Sequence, residues 1–266
     1  MKERIPFYQV DAFTEELFGG NPAAVLLTST DSDPKWMLNV AKEMNLSETA
    51  FVYPQGEIFH LRWFTPQTEV DLCGHATLSA AHVLWESQRV PADQSIQFQT
   101  RSGILHAKSL DGWIELDFPC HQLLEQPIDL ALLKAVGGEV VFSGISGETN
   151  LLEYASEGEI RELKPDFDAL LRLPGRGVIV TSRSDTLGFD FVSRYFAPWI
   201  GINEDPVTGS SHTILAPYWG KRLHKREMIA RQISNRGGVL RVRLDGERVG
   251  IQGKAVTVME GVFYTC

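Results

Sequence analysis

Along residues 62–86 the sequence RWFTPQTEVDLCGHATLSAAHVLWE passes from a strand-like apolar run, through a polar turn, into a segment that is apolar on nearly every side. A helix with one face in water carries an apolar stripe, whereas Ala76, Leu78, Ala80, Ala81, Val83, Leu84 and Trp85 surround the axis of this one. The pattern predicts a helix enclosed by protein. Its Gly74-His75 start then lies inside a closed site, where the unpaired N–H groups and partial positive charge of a first turn form a receptor for an anion. Upstream, Ile5 to Phe13 and Ala23 to Leu27 read as strands parted by the turn Gly19-Gly20-Asn21-Pro22. A helix follows from Pro34, with Trp36, Met37, Val40, Ala41 and Met44 on one face and Asn45 as its end. Ala50 to Tyr53 and Ile58 to Phe64 read as strands. Beyond the enclosed helix, Ser95 to Gln99, Gly103 to Lys108 and Trp113 to Phe118 alternate with period two, with Asp111-Gly112 as a hairpin turn.

The construction then returns. Arg62-Trp63-Phe64-Thr65-Pro66 matches Arg194-Tyr195-Phe196-Ala197-Pro198, Gly74 matches Gly209, Arg101-Ser102-Gly103 matches Arg236-Gly237-Gly238, and Asp111-Gly112 matches Asp245-Gly246. The offsets are 132, 135, 135 and 134, so the register hardly drifts. The chain therefore reads as two copies of one module of roughly 130 residues. The first copy occupies residues 1–119 and the second 120–259, with a last strand, around Val262 to Thr265, expected to cross back to the first. In the second copy Leu130 to Val136 and Asp166 to Leu173 read as helices. Val140 to Phe142, Leu151 to Tyr154, Val178 to Thr181 and Phe189 to Phe196 read as strands. A helix opening at Gly209 and interrupted by Pro217, where a kink is expected, precedes three strands from Ile229 to Gln252. The fold class is α+β, two duplicated domains.

A formal charge of −9, with no basic run beyond Lys221-Arg222 and Lys225-Arg226, argues against a nucleic-acid or anionic-membrane surface and for a small-molecule partner. No apolar run approaches the length of a membrane span, and the N-terminus lacks a signal-peptide core. Cys73, Cys120 and Cys266 show no CxxC or zinc spacing and cannot all pair, which points to a reducing cytoplasm. The seven histidines form no HxxxH or HxH pair, so no metal site is expected. No GxGxxG loop follows a strand, and no GxSxG elbow occurs.

Duplicated modules share packing residues, so a reaction on an asymmetric substrate has to use the positions where they differ. Glu48 aligns with the neighbourhood of Gly177, Cys73-Gly74-His75 with Thr208-Gly209-Ser210, and Asp205 falls in an inserted turn without a counterpart. If the two helix starts face each other, Glu48, His75, Asp205 and Ser210 converge at the domain interface, a common place for ligand pockets. Glu48 would then act as a general base that takes a proton from carbon and returns it. His75 and Asp205 would hold polar substituents, and the Gly74-His75 and Gly209-Ser210 amides a carboxylate. Each has a plainer reading: Glu48 as a solvated loop acid, His75 as a cap-region hydrogen bond, Asp205 as a turn opener, Ser210 as a helix cap and Cys73 as a small buried residue.

NPAAVL at Asn21 to Leu26, NLSETAF at Asn45 to Phe51, FTPQTEVDLCGHATL at Phe64 to Leu78 and EDPVTGSSH at Glu204 to His212 together resemble the phenazine biosynthesis PhzF-like family, in its CGHAT branch. The resemblance implies a diaminopimelate epimerase-like fold, in which each domain is a β-barrel-like sheet around a central helix and the site lies in the cleft between them. It further implies a cofactor-free isomerase, homodimeric, in which Glu48 moves a proton along a small cyclic or amino-substituted carboxylic acid. Gly74, His75, Asp205 and Ser210, with Cys73 and Gly209 beside them, would line the site. Two other readings stay open: an amino-acid epimerase or racemase using Cys73, for which a second thiol near Gly209 is missing, and a non-catalytic binding protein of the same fold.

Overall fold

The computed structural model describes residues 4–264. They divide into two compact units, residues 4–117 with 252–264, and residues 118–251. In the first, β1 (Arg4–Ala12) turns back into β2 (Asn21–Leu27) through a loop pinned by the Phe18 N–H, which donates to Asp11 Oδ2 at 2.8 Å. Gly20 is required at the end of this loop: its φ is +59°, and a Cβ there would lie 2.1 Å from the Ala12 carbonyl oxygen. Helix α1 (Pro34–Met44) starts where the Asp33 carboxylate accepts the Lys35 N–H and stops at Asn45, whose left-handed backbone turns the chain. Strand β3 (Glu48–Gln55) then enters parallel to β2, with Glu48 beside Ala23. Next come β4 (Ile58–Phe64), β5 (Glu69–Val70), α2 (Gly74–Glu86), β6 (Ile96–Thr100), β7 (Gly103–Leu110) and β8 (Trp113–Pro119). Asp111 and Gly112 both have positive φ, as a two-residue hairpin turn demands.

The second unit contains β9 (Leu124–Glu125), α3 (Leu130–Val136), β10 (Val140–Ser146), β11 (Thr149–Tyr154), α4 (Glu157–Glu162) and α5 (Phe167–Leu171). These are followed by β12 (Gly177–Arg183), β13 (Phe191–Ala197), β14 (Ile202–Asp205), α6 (His212–Leu223), β15 (Glu227–Gln232), β16 (Gly238–Asp245) and β17 (Arg248–Gly253), whose last two residues count with the first unit. The chain returns to the first unit as β18 (Ala255–Tyr264), antiparallel to β1 from Ala12↔Ala255 to Arg4↔Tyr264. Thr265, placed by the sequence in this last strand, lies outside the described residues, as does Cys266. Strand order in the first unit is β18-β1-β2-β3-β4-β6-β7-β8, with β5 against β4. Strands β9-β10-β11-β12-β13-β15-β16, with β14 against β13, repeat it. The two parallel steps also recur, β2–β3 as β11–β12 and β4–β6 as β13–β15.

Helix α2 packs against β1, β2, β3 and β18. Nine of its residues from His75 to Leu84 are buried, including Thr77 and Ser79, so the helix is enclosed as its pattern predicts. Strand β2 is covered on both faces, since Ala24 and Leu26 join Phe51, Phe64 and the α1 residues Met37, Val40 and Ala41 in a separate cluster. Among the described residues no helix is long and apolar enough to cross a membrane.

Three local expectations need correction. Helix α6 begins at His212 and not at Gly209, because its first turn is routed differently from that of α2. The Thr208 carbonyl is occupied by the Ser211 hydroxyl and His212 Nδ1, and the His212 amide reaches back only three residues, to Gly209. The helix expected over Asp166 to Leu173 is shorter, a five-residue α5 capped by Asp166 between Pro165 and Pro174, and α4 is an addition. A capping pair, Ser156 three residues before Glu159, marks α4 in the sequence; Ile160 is its one apolar side chain. Pro217 does not interrupt α6, which runs on to Leu223; the Thr213 carbonyl, which a proline at 217 cannot serve, accepts the His121 N–H at 3.0 Å.

A Cβ on Gly253 would lie 2.3 Å from the ring of Phe13 and 2.8 Å from Leu78 of α2. Phe13 is buried at a positive φ and has no room to yield. Gly253→Ala should therefore destabilise the protein by about 1–3 kcal/mol. A denaturant midpoint equal to that of the parent would show that the sheet does not close this tightly on α2.

Candidate active site

The chain delivers Glu48 by a short route. Asn45 ends α1 in the left-handed region, two residues follow, and Glu48 opens β3. From the other side the turn before β5 leads through Cys73, whose extended backbone precedes α2, into Gly74, the first helical residue. No side chain caps this helix start. His75, in the first turn, points its ring at Glu48: Nε2 lies 3.3 Å from Glu48 Oε2 and 3.3 Å from Ser47 Oγ. Its other nitrogen, Nδ1, lies 3.3 Å from Asn21 Nδ2 and 3.5 Å from Cys73 Sγ. With the Asn21 amide nitrogen turned to Nδ1, that ring atom accepts and the proton falls on Nε2, on the side of Ser47 and Glu48; the opposite turn of the carboxamide reverses the two. Asn21, the first residue of β2, thus meets the ring of a histidine 54 positions away.

Glu48 is 16% exposed at its side chain. Burial pushes its pKa above the ordinary carboxylate value, and hydrogen bonds from Ser47 and Cys73 oppose that shift without cancelling it. A carboxyl group in that state exchanges a proton nearer neutrality than a solvated one, which suits an acid and base used in turn. Glu48, Cys73 and His75 also offer three donor atoms within 4.8 Å of one another, the one group among the described residues with the makings of a metal site. No histidine pair marks it in the sequence, because the three groups are of different types and come from two segments.

In the second unit Asp205 ends β14, opposite Tyr195 in β13. Val70 stands opposite Trp63 in the same register, so Asp205 occupies the Val70 position and not an inserted turn. Its Oδ2 accepts from Thr208 Oγ1 at 2.5 Å. Gln232, wholly buried, binds both ends of this turn: Oε1 accepts the Thr208 N–H at 2.9 Å, and Nε2 donates to the Asp205 carbonyl at 2.7 Å. Gln232 carries no motif that singles it out in the sequence. Gly209 is buried, Ser210 is exposed on the turn before α6, and the N-cap of α6 is Ser211 rather than Ser210. Gly177 takes the place of Glu48 in register, since Thr49 pairs with Phe64 as Val178 does with Phe196. The space over it is taken by the Tyr195 ring, whose oxygen would be 2.1 Å from a Cβ.

A sheet wrapped on a buried helix and repeated once, with a desolvated acid at the helix start, defines an α+β protein of the diaminopimelate epimerase-like class. The profile of the phenazine biosynthesis-like proteins matches residues 10–261, and the chain belongs to that family. It is 50% identical over 255 residues to an uncharacterised isomerase of Halalkalibacterium halodurans, covering 96% of each chain. A crystal structure of a PhzF-family phenazine biosynthesis protein from Enterococcus faecalis shares 42% identity and superposes with a TM-score of 0.95 over 99% of this chain and 100% of that one. A predicted epimerase from Pseudomonas aeruginosa, 19% identical, has the same fold with a TM-score of 0.79 over 99% and 100% of the two chains. At the level of the family, the class of activity is isomerase.

The burial of Glu48 has a thermodynamic consequence. Its folded pKa is raised, so as pH climbs past the ordinary value of 4.5 the unfolded chain ionises first and stability falls until the folded acid has ionised as well. Glutamine copies the protonated acid and removes that loss. Glu48→Gln should match the parent's Tm near about pH 4 and exceed it at about pH 7. A variant no more stable than the parent at neutral pH would show that Glu48 is not desolvated.

Proposed function

We propose that the protein is a cofactor-independent isomerase that moves a proton on a small, cyclic or amino-substituted carboxylic acid, with Glu48 as the base that removes it and the acid that returns it. The observation that carries this reading is the desolvated Glu48 carboxyl 3.3 Å from His75 Nε2, at the start of a buried helix that no side chain caps. Proton abstraction next to an acyl or conjugated group leaves negative charge on the substrate. The first-turn amides of α2, at the positive end of an enclosed helix, supply fixed dipoles where that charge develops. His75 steadies the Glu48 carboxylate whenever the proton is on the substrate, since an Nε2–H donor favours the ionised form. Asp205, with Gly209 and Ser210, is the second unit's proposed contribution to holding the substrate's polar substituents.

The location of Cys73 gives a second reading some footing. Its sulfur contacts His75 Nδ1 and donates toward Glu48, so a thiolate and an acid could serve as an unlike pair in an epimerase. Against it, the residue equivalent to Cys73 is Thr208, and a hydroxyl does not replace a thiolate as a carbon base.

Both readings are separable without a known product. In D2O, with a panel of small cyclic and amino-substituted carboxylic acids, the enzyme should exchange one substrate C–H for C–D, followed by NMR. Glu48→Gln should lower that rate by about 10²–10⁴-fold, the usual worth of a positioned acid-base group. Asp205→Asn should weaken kcat/KM on the same substrate, and Cys73→Ser should keep exchange within about tenfold of the parent. Full exchange in Glu48→Gln would remove Glu48 from the mechanism, and loss confined to Cys73→Ser would install the thiol in its place.

A further inference from the structure

We propose that Glu48, Cys73 and His75 form a binding site for a thiophilic divalent cation, and that an ion held there and proton transfer by Glu48 exclude one another. The second half rests on the function proposed above; the first does not. A thiolate, an imidazole and a carboxylate are the ligand types of zinc sites, and the thiol selects zinc or cobalt over the hard cations magnesium and calcium. Tetrahedral zinc with ordinary bond lengths places its ligand atoms about 3.3–3.6 Å apart. The separations are of that order: 3.3 Å from His75 Nε2 to Glu48 Oε2, 3.5 Å from His75 Nδ1 to Cys73 Sγ, and no more than 4.8 Å among one ligand atom from each of the three. The two close approaches use different ring nitrogens, so one ion closes the set once thiol and carboxylate turn to the same nitrogen, where the three ligand atoms already lie within 4.8 Å of one another.

The other requirements of a metal site are present. The ligands come from the first residue of β3 and the first turn of α2, elements held by the unit's core. An outer partner exists in Asn21, whose carboxamide serves either state of Nδ1 by rotating about its last bond. Glu48 keeps partial solvent exposure, which gives an ion a way in, and three protein ligands leave a fourth position for water, as in exchangeable sites. A bound ion engages the carboxylate lone pair with which Glu48 would take a proton, and it holds His75 away from its donor role. Zinc at low concentration would thus silence the enzyme reversibly.

Cobalt reports the site through its thiolate charge-transfer absorption, whatever the substrate. In a background with Cys120→Ser and Cys266→Ser, cobalt titration should develop that band at one equivalent, and Cys73→Ser should abolish it. Glu48→Gln, which retains the thiol, should keep the band but bind zinc at least about tenfold more weakly by competition with a chromogenic chelator. Near-ultraviolet circular dichroism checks that each variant is folded. Absence of the band in the folded background protein, or its survival in Cys73→Ser, overturns the site. Saturating zinc should stop C–H exchange, and a chelator should restore it. If the band behaves as expected and exchange continues under saturating zinc, the metal site stands and the assignment of Glu48 as base is what fails.

Discussion

Enclosure of α2 by its own sheet is the constraint from which the other features of the first unit follow. Water is excluded around the helix, so its hydroxyls have to bond within the protein: Thr77 Oγ1 donates to the Cys73 carbonyl at 2.6 Å and Ser79 Oγ to the His75 carbonyl at 2.9 Å. Small residues dominate the helix because strands approach from several sides, and Ala76, Ala80 and Ala81 are each wholly buried. The same exclusion of water acts on whatever stands at the helix start. Glu48 is raised above its ordinary pKa by loss of hydration first of all. Its reactivity and the packing of the helix therefore have one origin.

Comparison of the two copies shows where duplication has been used. Thr208 in the second unit is the equivalent of Cys73 in the first, and each bonds to the acid of its own copy, Asp205 and Glu48. The acids themselves are not equivalent. Glu48 corresponds to Gly177, a position closed off by the Tyr195 ring, and Asp205 corresponds to Val70. One donor position has been kept while its acceptor moved from the start of one strand to the end of another. The helix start also differs, since side chains of Ser211 and His212 occupy the Thr208 carbonyl that a backbone N–H would take in α2.

The repeat, the enclosed helix and nearly every strand were legible because hydrophobic period and turn residues act locally. Asn45, Gly20 and Asp111-Gly112 each mark a change of direction that the backbone geometry enforces. What escaped the sequence depended on partners distant along the chain. Asn21 meets His75 across 54 residues and Gln232 meets Thr208 across 24, and neither amide advertises its role by spacing. Reading Asp205 as an insertion had a physical source too: the Asp-Pro pair looks like a turn, whereas strand register carries Asp205 to the last paired residue of β14. α4 was missed because one buried isoleucine and one buried acid give no periodic signal.

The corner that both copies share explains why divergence could occur so close to it. Arg62 makes two parallel hydrogen bonds to Glu69, at 2.8 and 2.9 Å, and Arg194 makes two to Glu204, at 2.7 and 2.9 Å, with each guanidinium also lying over a phenylalanine two residues on. A planar two-point contact of this kind fixes orientation as well as distance, and losing one partner would strand a largely buried charge. Arg194 adds a third duty, donating to the Ile160 and Leu163 carbonyls where α4 ends. The strand pair is thus locked at Glu69 and at Glu204, and the very next residue, Val70 or Asp205, is held at a defined place whatever its chemistry. Exchanging a valine for an acid at such a point changes the reactive surface while the lock, and with it the path into each helix start, stays as it was.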